Sequence, residues 1–189
     1  MIDIETAIQE HLDVIGGVRR LAPEIADVAG CVSDCLAAGG KILWMGNGGS
    51  AADSQHLAAE LVGRYTRERR GLASIALTTD TSILTAVGND YGYDKIFSRQ
   101  IDALCQPGDV VMGLSTSGKS PNVIEALELA KERRATTVGF TGGDGGTVLA
   151  IVDHCFVVPS TVTARIQEAH ILIGHLICDW AEARVAGDR

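Results

Sequence analysis

The chain lacks what would suit it to a membrane, an oxidising compartment or a polyanion. No uninterrupted apolar run approaches bilayer-spanning length, and the sequence opens without the charged and apolar regions of a secretory leader, so the expectation is a soluble cytoplasmic protein. The five cysteines, Cys31, Cys35, Cys105, Cys155 and Cys178, are odd in number and show neither zinc-finger nor CxxC spacing; they read as reduced core thiols. Basic residues are outnumbered, with 16 Lys and Arg against 24 Asp and Glu, and a formal charge of -8 argues against nucleic acid or an anionic membrane as a partner. Any anion site must therefore be built locally, from backbone amides and hydroxyls. No internal repeat, low-complexity tract or disordered linker interrupts the 189 residues, which fit one domain with a real core.

What is present is a helical preface followed by alternating strands and helices. Ile4, Ile8, Leu12 and Ile15 recur at helical spacing, as do Leu21, Ile25, Val28 and Val32, with Pro23 near the start of the second segment. Two amphipathic helices ahead of the first strand exceed what a sheet easily covers. Their spare apolar faces suggest contact with another subunit, with burial inside one subunit as the alternative. Strands are expected at Ile42 to Met45, Ser74 to Leu77, Val110 to Leu114, Thr137 to Phe140 and His154 to Val158, and a long last helix from Thr163 to Ala186, apolar on one side. Repeated strand–helix units imply a parallel sheet covered on both faces by right-handed crossovers.

Two loops carry the chemistry. In KILWMGNGGSAADSQHLAAE, an apolar strand enters a turn at Gly46, Gly48 and Gly49, and Ser50 falls where a helix begins, so free amides, the helix dipole and a hydroxyl face an incoming anion. His56 and Glu60, four residues apart, share one face of that helix. An ordinary crossover with a surface His/Glu pair would leave the same pattern. The second loop, Ser115-Thr116-Ser117-Gly118-Lys119-Ser120, lies between another apolar strand and a helix opened by Pro121; it forms a hydroxyl-rich nest, although Ser/Gly clusters are also plain loops. Two such loops on one carboxyl edge of a parallel sheet point to a phosphorylated ligand.

The segments GNGGSAADSQHLAAELVGRY, GNDYGYDKIFSRQ, LSTSGKSPNVIEA, TGGDGG and TARIQEAHILIGHLICD together resemble, in order and over nearly the whole chain, the sugar isomerase (SIS) domain proteins of the phosphoheptose isomerase type. The resemblance implies an α/β, flavodoxin-like three-layer sandwich around a five-stranded parallel sheet, a single SIS domain over 1–189, and a homotetramer with residues 1–38 in the oligomer interface. It implies conversion of sedoheptulose 7-phosphate to D-glycero-D-manno-heptose 7-phosphate, the first step toward ADP- or GDP-activated heptose for lipopolysaccharide, capsule or surface-layer glycan. By similarity, Glu60 is the base and His175 the complementary acid/base. Ser50, Ser115, Thr116, Ser117 and Ser120 hold the phosphate, Asn47, Gly48 and Gly49 line the sugar end, and Asn89, Asp90 and Gln167 bind sugar hydroxyls. The resemblance also implies one zinc ion on His56, Glu60, Gln167 and His175. His11, His154 and His170 receive no role.

Two residues depart from the family pattern. Ala164 stands where some members carry an aspartate facing the site, and Lys119 where others often have asparagine. A related SIS branch binds the bacterial replication initiator without catalysis; it lacks the counterparts of Glu60 and His175, both present here. A phosphosugar sensor and an isomerase of a shorter phosphosugar are the remaining alternatives.

Overall fold

The computed structural model describes residues 3–187. Helices α1 (Ile4–Val18) and α2 (Ala22–Ala37) precede β1 (Ile42–Gly46) and α3 (Gly49–Val62); then follow β2 (Ser74–Ala76), α4 (Thr81–Tyr91), α5 (Ser98–Leu104), β3 (Val110–Leu114), α6 (Pro121–Glu132), β4 (Thr136–Gly142), α7 (Gly146–Ile151), β5 (His154–Val158) and α8 (Thr163–Ala186). The strands form one five-stranded sheet in the order β2-β1-β3-β4-β5. Every pairing is parallel.

The period-two alternation of side chains divides the core in two. Ile42 and Trp44 of β1, with Val110, Met112 and Leu114 of β3, pack beneath α2, α3 and α8. Leu43 and Met45, with Val111, face α5, α6 and α7 on the other side. The beginnings of the two central strands are pinned together by buried Asp109, whose carboxylate accepts from the Lys41 backbone N–H at 3.0 Å, the Lys41 ammonium at 2.6 Å and the Gln106 N–H at 2.8 Å. All five cysteines are free, Cys35, Cys105 and Cys178 buried and the other two half-buried. Burial pushes the Cys178 thiol up to about 12, so it stays protonated, as a core residue should.

The two leading helices fare differently. The stripe of α2 is spent inside the subunit, with Ile25, Val28 and Val32 in the core. On α1, Ile4, Ile8 and Leu12 stay open, at 72%, 52% and 56% exposure. Polar contacts fix α1 in place: His11 Nδ1 lies 2.8 Å from a Glu168 carboxylate oxygen, and Arg165 donates to the Ala7 carbonyl. His11 thus docks a helix, and His154, 3.1 Å from Glu24, does similar work.

Helix α8 has the expected bounds but is not apolar on one side only. It buries Ile166, Ala169, Ile173, Ile177 and Ala181 against the sheet, α2 and α3, while Leu176 and Trp180 on its outer side remain about half exposed. His170 is sealed within it, its Nε2 3.1 Å from the Thr141 carbonyl and its ring edge-on to Phe140. Burial lowers its pKa to about 4 from 6.5, the Thr141 carbonyl opposing. As pH falls below 6.5 the unfolded chain takes up a proton at this position that the folded chain refuses, so stability is lost between about pH 6.5 and 4. His170→Gln should flatten the thermal midpoint over that interval; an unchanged slope would remove His170 as a source of acid sensitivity.

Candidate active site

Strands β1 and β3 are neighbours, yet the chain leaves β1 for α3 on one face and β3 for α6 on the other. This switch point opens a crevice at the carboxyl ends of the strands, where doubly wound sheets take their ligands. A cavity of about 300 Å³ lies there, lined by Asn47, Gly48, Gly49, Ser50, Leu114, Ser115, Thr116, Ser120, Thr163 and Gln167. Helices α3, α6 and α8 all begin at it, and none has a side-chain cap on its first amides. Three helix N-termini, each the positive end of a helix dipole, therefore favour an anion in this space. Hydroxyls complete the lining: Ser50 is buried, and the Ser115 and Ser120 oxygens sit 2.9 Å apart. A Cβ on Gly49 would lie 2.5 Å from the Gln167 amide nitrogen, so the turn admits only glycine if Gln167 is to stay against it.

Further along α3 stands a second group. His56 Nε2 is 2.8 Å from His175 Nε2 on α8 and 3.2 Å from Glu60 Oε1. One ligand-type atom from each of the three residues lies within 4.8 Å of the others. The two helices come this close because of Gly174, where a Cβ would lie 2.5 Å from both Leu57 methyls. Tyr65 covers His175 from the side, their ring centroids 5.4 Å apart. Burial, then the neighbouring His56, push the His175 pKa below 6.5, with Glu60 opposing.

Two imidazoles and a carboxylate are ordinary zinc ligands, and bonds of about 2.05 Å in a tetrahedron place donors about 3.3 Å apart. Two of the observed separations, 2.8 and 3.2 Å, fall just under that, so a slight spreading would seat an ion. The residues present fit a zinc ion. Gln167 sits about 12 Å before His175 along α8, as an eight-residue helical rise requires, with its amide against Gly49.

A strap from Tyr65 to Arg69 closes this end of the site. Its anchor is Glu182, a fully buried carboxylate that accepts from the backbone N–H groups of Tyr65, Thr66 and Arg67 at 2.8, 2.7 and 2.7 Å and pairs with Arg69 at 3.2 Å. Burial works to raise the Glu182 pKa, but Glu182 lies only one strap below the surface and the backbone amides prevail, lowering it below 4.5. Arg69 in turn donates to the Glu60 carbonyl at 2.9 Å, at the end of α3. Tyr65 and Glu182 were not picked out from sequence. The signal available for Glu182 was its seven-residue offset from His175, which puts both on one side of α8.

The structure thus gathers Asn47, Gly48, Gly49, Ser50, Ser115, Thr116, Ser120 and Gln167 around one cavity, and His56, Glu60 and His175 into one cluster. It leaves others outside. Ser117 lines a neighbouring cleft of about 830 Å³ between the β4 and β5 ends, and its Oγ accepts from the Lys119 N–H at 3.2 Å. Lys119 lines the same cleft, 63% exposed and 3.7 Å from Asp144. Asn89 and Asp90 bond to each other on the exposed side of α4, off the cavity lining.

An α/β domain with an anion-favouring cavity at its switch point, and an imidazole–carboxylate cluster between α3 and α8, fits the class of sugar-phosphate-handling proteins. The family model described as "SIS domain" matches residues 8–142. Phosphoheptose isomerase of Geobacter sulfurreducens is 60% identical over 184 residues, 97% of this chain and 97% of its own length. That of Geotalea daltonii is 56% identical over 188 residues, 99% of this chain and 98% of its own. The solved phosphoheptose isomerase of Neisseria gonorrhoeae superposes with a TM-score of 0.91 at 46% identity, covering 95% of this chain and 97% of that one. The chain belongs to the SIS domain family, among the phosphoheptose isomerases.

The close approach at Gly174 makes a direct prediction. Gly174→Ala should destabilise the fold by about 1–3 kcal/mol through overpacking against Leu57. It should also lengthen the separation of His175 from His56, read from a crystal structure of the variant. An unchanged separation would show that the helices tolerate the methyl group.

Proposed function

We propose that this protein is an aldose–ketose isomerase that interconverts sedoheptulose 7-phosphate and D-glycero-D-manno-heptose 7-phosphate, at the entry to activated-heptose biosynthesis. The observation that carries the reading is the meeting of His175 on α8 with Glu60 and His56 on α3, the helix whose first turn lines the anion cavity. A scaffold or sensor needs the cavity alone; proton transfer needs the pair.

The dimensions suit the substrate. His56 lies about 9 Å beyond Ser50 along α3 and Glu60 about 15 Å, from six and ten helical rises. Helical side chains lean back toward the N-terminus, which brings the Glu60 carboxylate nearer. Eight bonds separate C1 from phosphorus in a heptose 7-phosphate, about 10 Å when extended at the advance per bond of a polypeptide chain. A phosphate held at Ser50, Ser115 and Ser120 therefore places C1 and C2 beside the cluster, whereas a triose phosphate would fall short. Fixing the phosphate in this way removes orientational freedom from the reacting end.

In the ketose-to-aldose direction Glu60 takes the proton from C1 while His175 donates one to the C2 carbonyl oxygen, giving an enediol. His175 then withdraws the proton from O1 as the C1 carbonyl forms, and Glu60, which has exchanged its proton with water in the interval, protonates C2. A neutral His175 gives its N–H proton to the carbonyl oxygen and recovers one from O1, in keeping with its lowered pKa. His56, Glu60 and His175 would hold zinc, which would supply Lewis-acid stabilisation of the charge that develops on the enediolate oxygens; Gln167, expected as a fourth ligand, lies instead against Gly49 in the anion cavity. The exposed stripe of α1 supports a homo-oligomer, a tetramer by family resemblance, with residues 1–38 in its interface; sedimentation as a monomer at micromolar concentration would oppose this.

Glu60→Gln and His175→Gln should each reduce turnover of sedoheptulose 7-phosphate by about 10²- to 10⁴-fold, with circular dichroism unchanged. Aldose formation followed by NMR decides it. Near-wild-type rates in both variants would take the pair out of the reaction.

A further inference from the structure

Asn122 is buried to 1% exposure and does not line the cavity. It is the second residue of α6, just beyond the serine loop. Its Nδ2 donates to Asn47 Oδ1 at 2.9 Å, and Asn47 Nδ2 donates back to Asn122 Oδ1 at 2.9 Å. Asn47 Oδ1 accepts a further bond from the Tyr93 hydroxyl at 3.0 Å. The two carboxamides form a closed reciprocal pair, a geometry that needs one donor and one acceptor on each side chain. It ties the glycine turn after β1 to the start of α6, so it joins the two walls of the anion cavity that lie on opposite faces of the sheet. Asn47 is also the residue whose carbonyl accepts from the Ser50 N–H at 3.0 Å, which sets the first turn of α3.

We propose that Asn122 is a positioning residue for the phosphate grip: through the reciprocal pair with Asn47 it fixes the spacing of the Ser50 and Ser120 loops, and with it the reach of the bound sugar toward Glu60. The inference rests on the phosphosugar reading above, and its test separates the two. A carboxylic acid offers one donor and one acceptor, as a carboxamide does, whereas a carboxylate offers only acceptors. Asn122→Asp should therefore break the pair when ionised and rebuild it when protonated, and burial will raise the introduced carboxyl into an accessible pH range.

The experiment is calorimetric titration of inorganic phosphate into the wild-type protein and Asn122→Asp at pH 8 and pH 5.5, with circular dichroism as the folding control. At pH 8 the variant should bind about tenfold more weakly than wild type, the cost expected when a buried donor–acceptor pair is broken. At pH 5.5 the gap should shrink to about twofold. A gap of equal size at both values, or none at pH 8, overturns the proposal. Because the ionised carboxylate introduced by Asn122→Asp also repels phosphate, uncharged Asn122→Leu must show the loss of about tenfold at both values, and wild-type affinity in it overturns the proposal too. If Asn122→Asp does not fold at pH 8, Tyr93→Phe, at an exposed position, removes the outer bond only and should weaken phosphate about threefold with an unchanged thermal midpoint. Unaltered affinity in that variant overturns the proposal as well. Wild-type protein that binds no phosphate at either pH would instead sink the phosphosugar reading itself.

Discussion

The contact of Gly174 with Leu57 sets the geometry on which the proposed chemistry depends. His56 and His175 are 119 residues apart in the chain, on helices that a single Cβ would hold apart. Because α8 has no side chain there, it settles on α3, and the next residue along it reaches across to His56. The buried face of α8 then continues through Ile177 and Ala181 to Glu182, which gathers the strap and lays Tyr65 beside His175. Packing, polar satisfaction and catalytic geometry are thus carried by one helix pair.

Helix α3 also sets a distance. Its first turn belongs to the anion cavity and its middle to the imidazole–carboxylate cluster, so in the proposed reaction the interval between phosphate and proton-transfer groups is a rigid length of hydrogen-bonded helix. A loop would leave that interval variable and lose the benefit of holding the substrate at its far end. The order β2-β1-β3-β4-β5 makes this possible by sending the two chains that leave the central strands to opposite faces. The crevice between them is where the starts of α3, α6 and α8 meet.

Much of this was legible in the sequence wherever a signal is local. Apolar runs marked the strands to within two residues at each end, Ser50 and Pro121 marked helix starts, and the last helix has the expected limits from Thr163 to Ala186. The separation of His56 from Glu60 by one helical turn also announced itself. What stayed hidden depends on tertiary partners. Helices α1 and α2 carry similar apolar stripes, yet only α2 finds room beneath the sheet. Glu182 reads as a surface charge until its three backbone donors are seen, and Asn122 reads as an ordinary first-turn polar residue. Ser117 looked equivalent to its serine neighbours, but the turn of the loop directs it into the adjacent cleft.

The central claim is that a proton leaves C1 and another arrives at C2 by way of side chains that exchange with water, as the exposure of His56 and the partial exposure of Glu60 permit. Turnover of sedoheptulose 7-phosphate in deuterium oxide, followed by proton NMR of the aldose, tests it most directly. The account predicts deuterium at C2 of the product. An aldose carrying only the original hydrogen at C2 would mean passage without exchange, directly between the carbons or on a base shielded from water, and would contradict proton transfer through a solvent-exchanging Glu60.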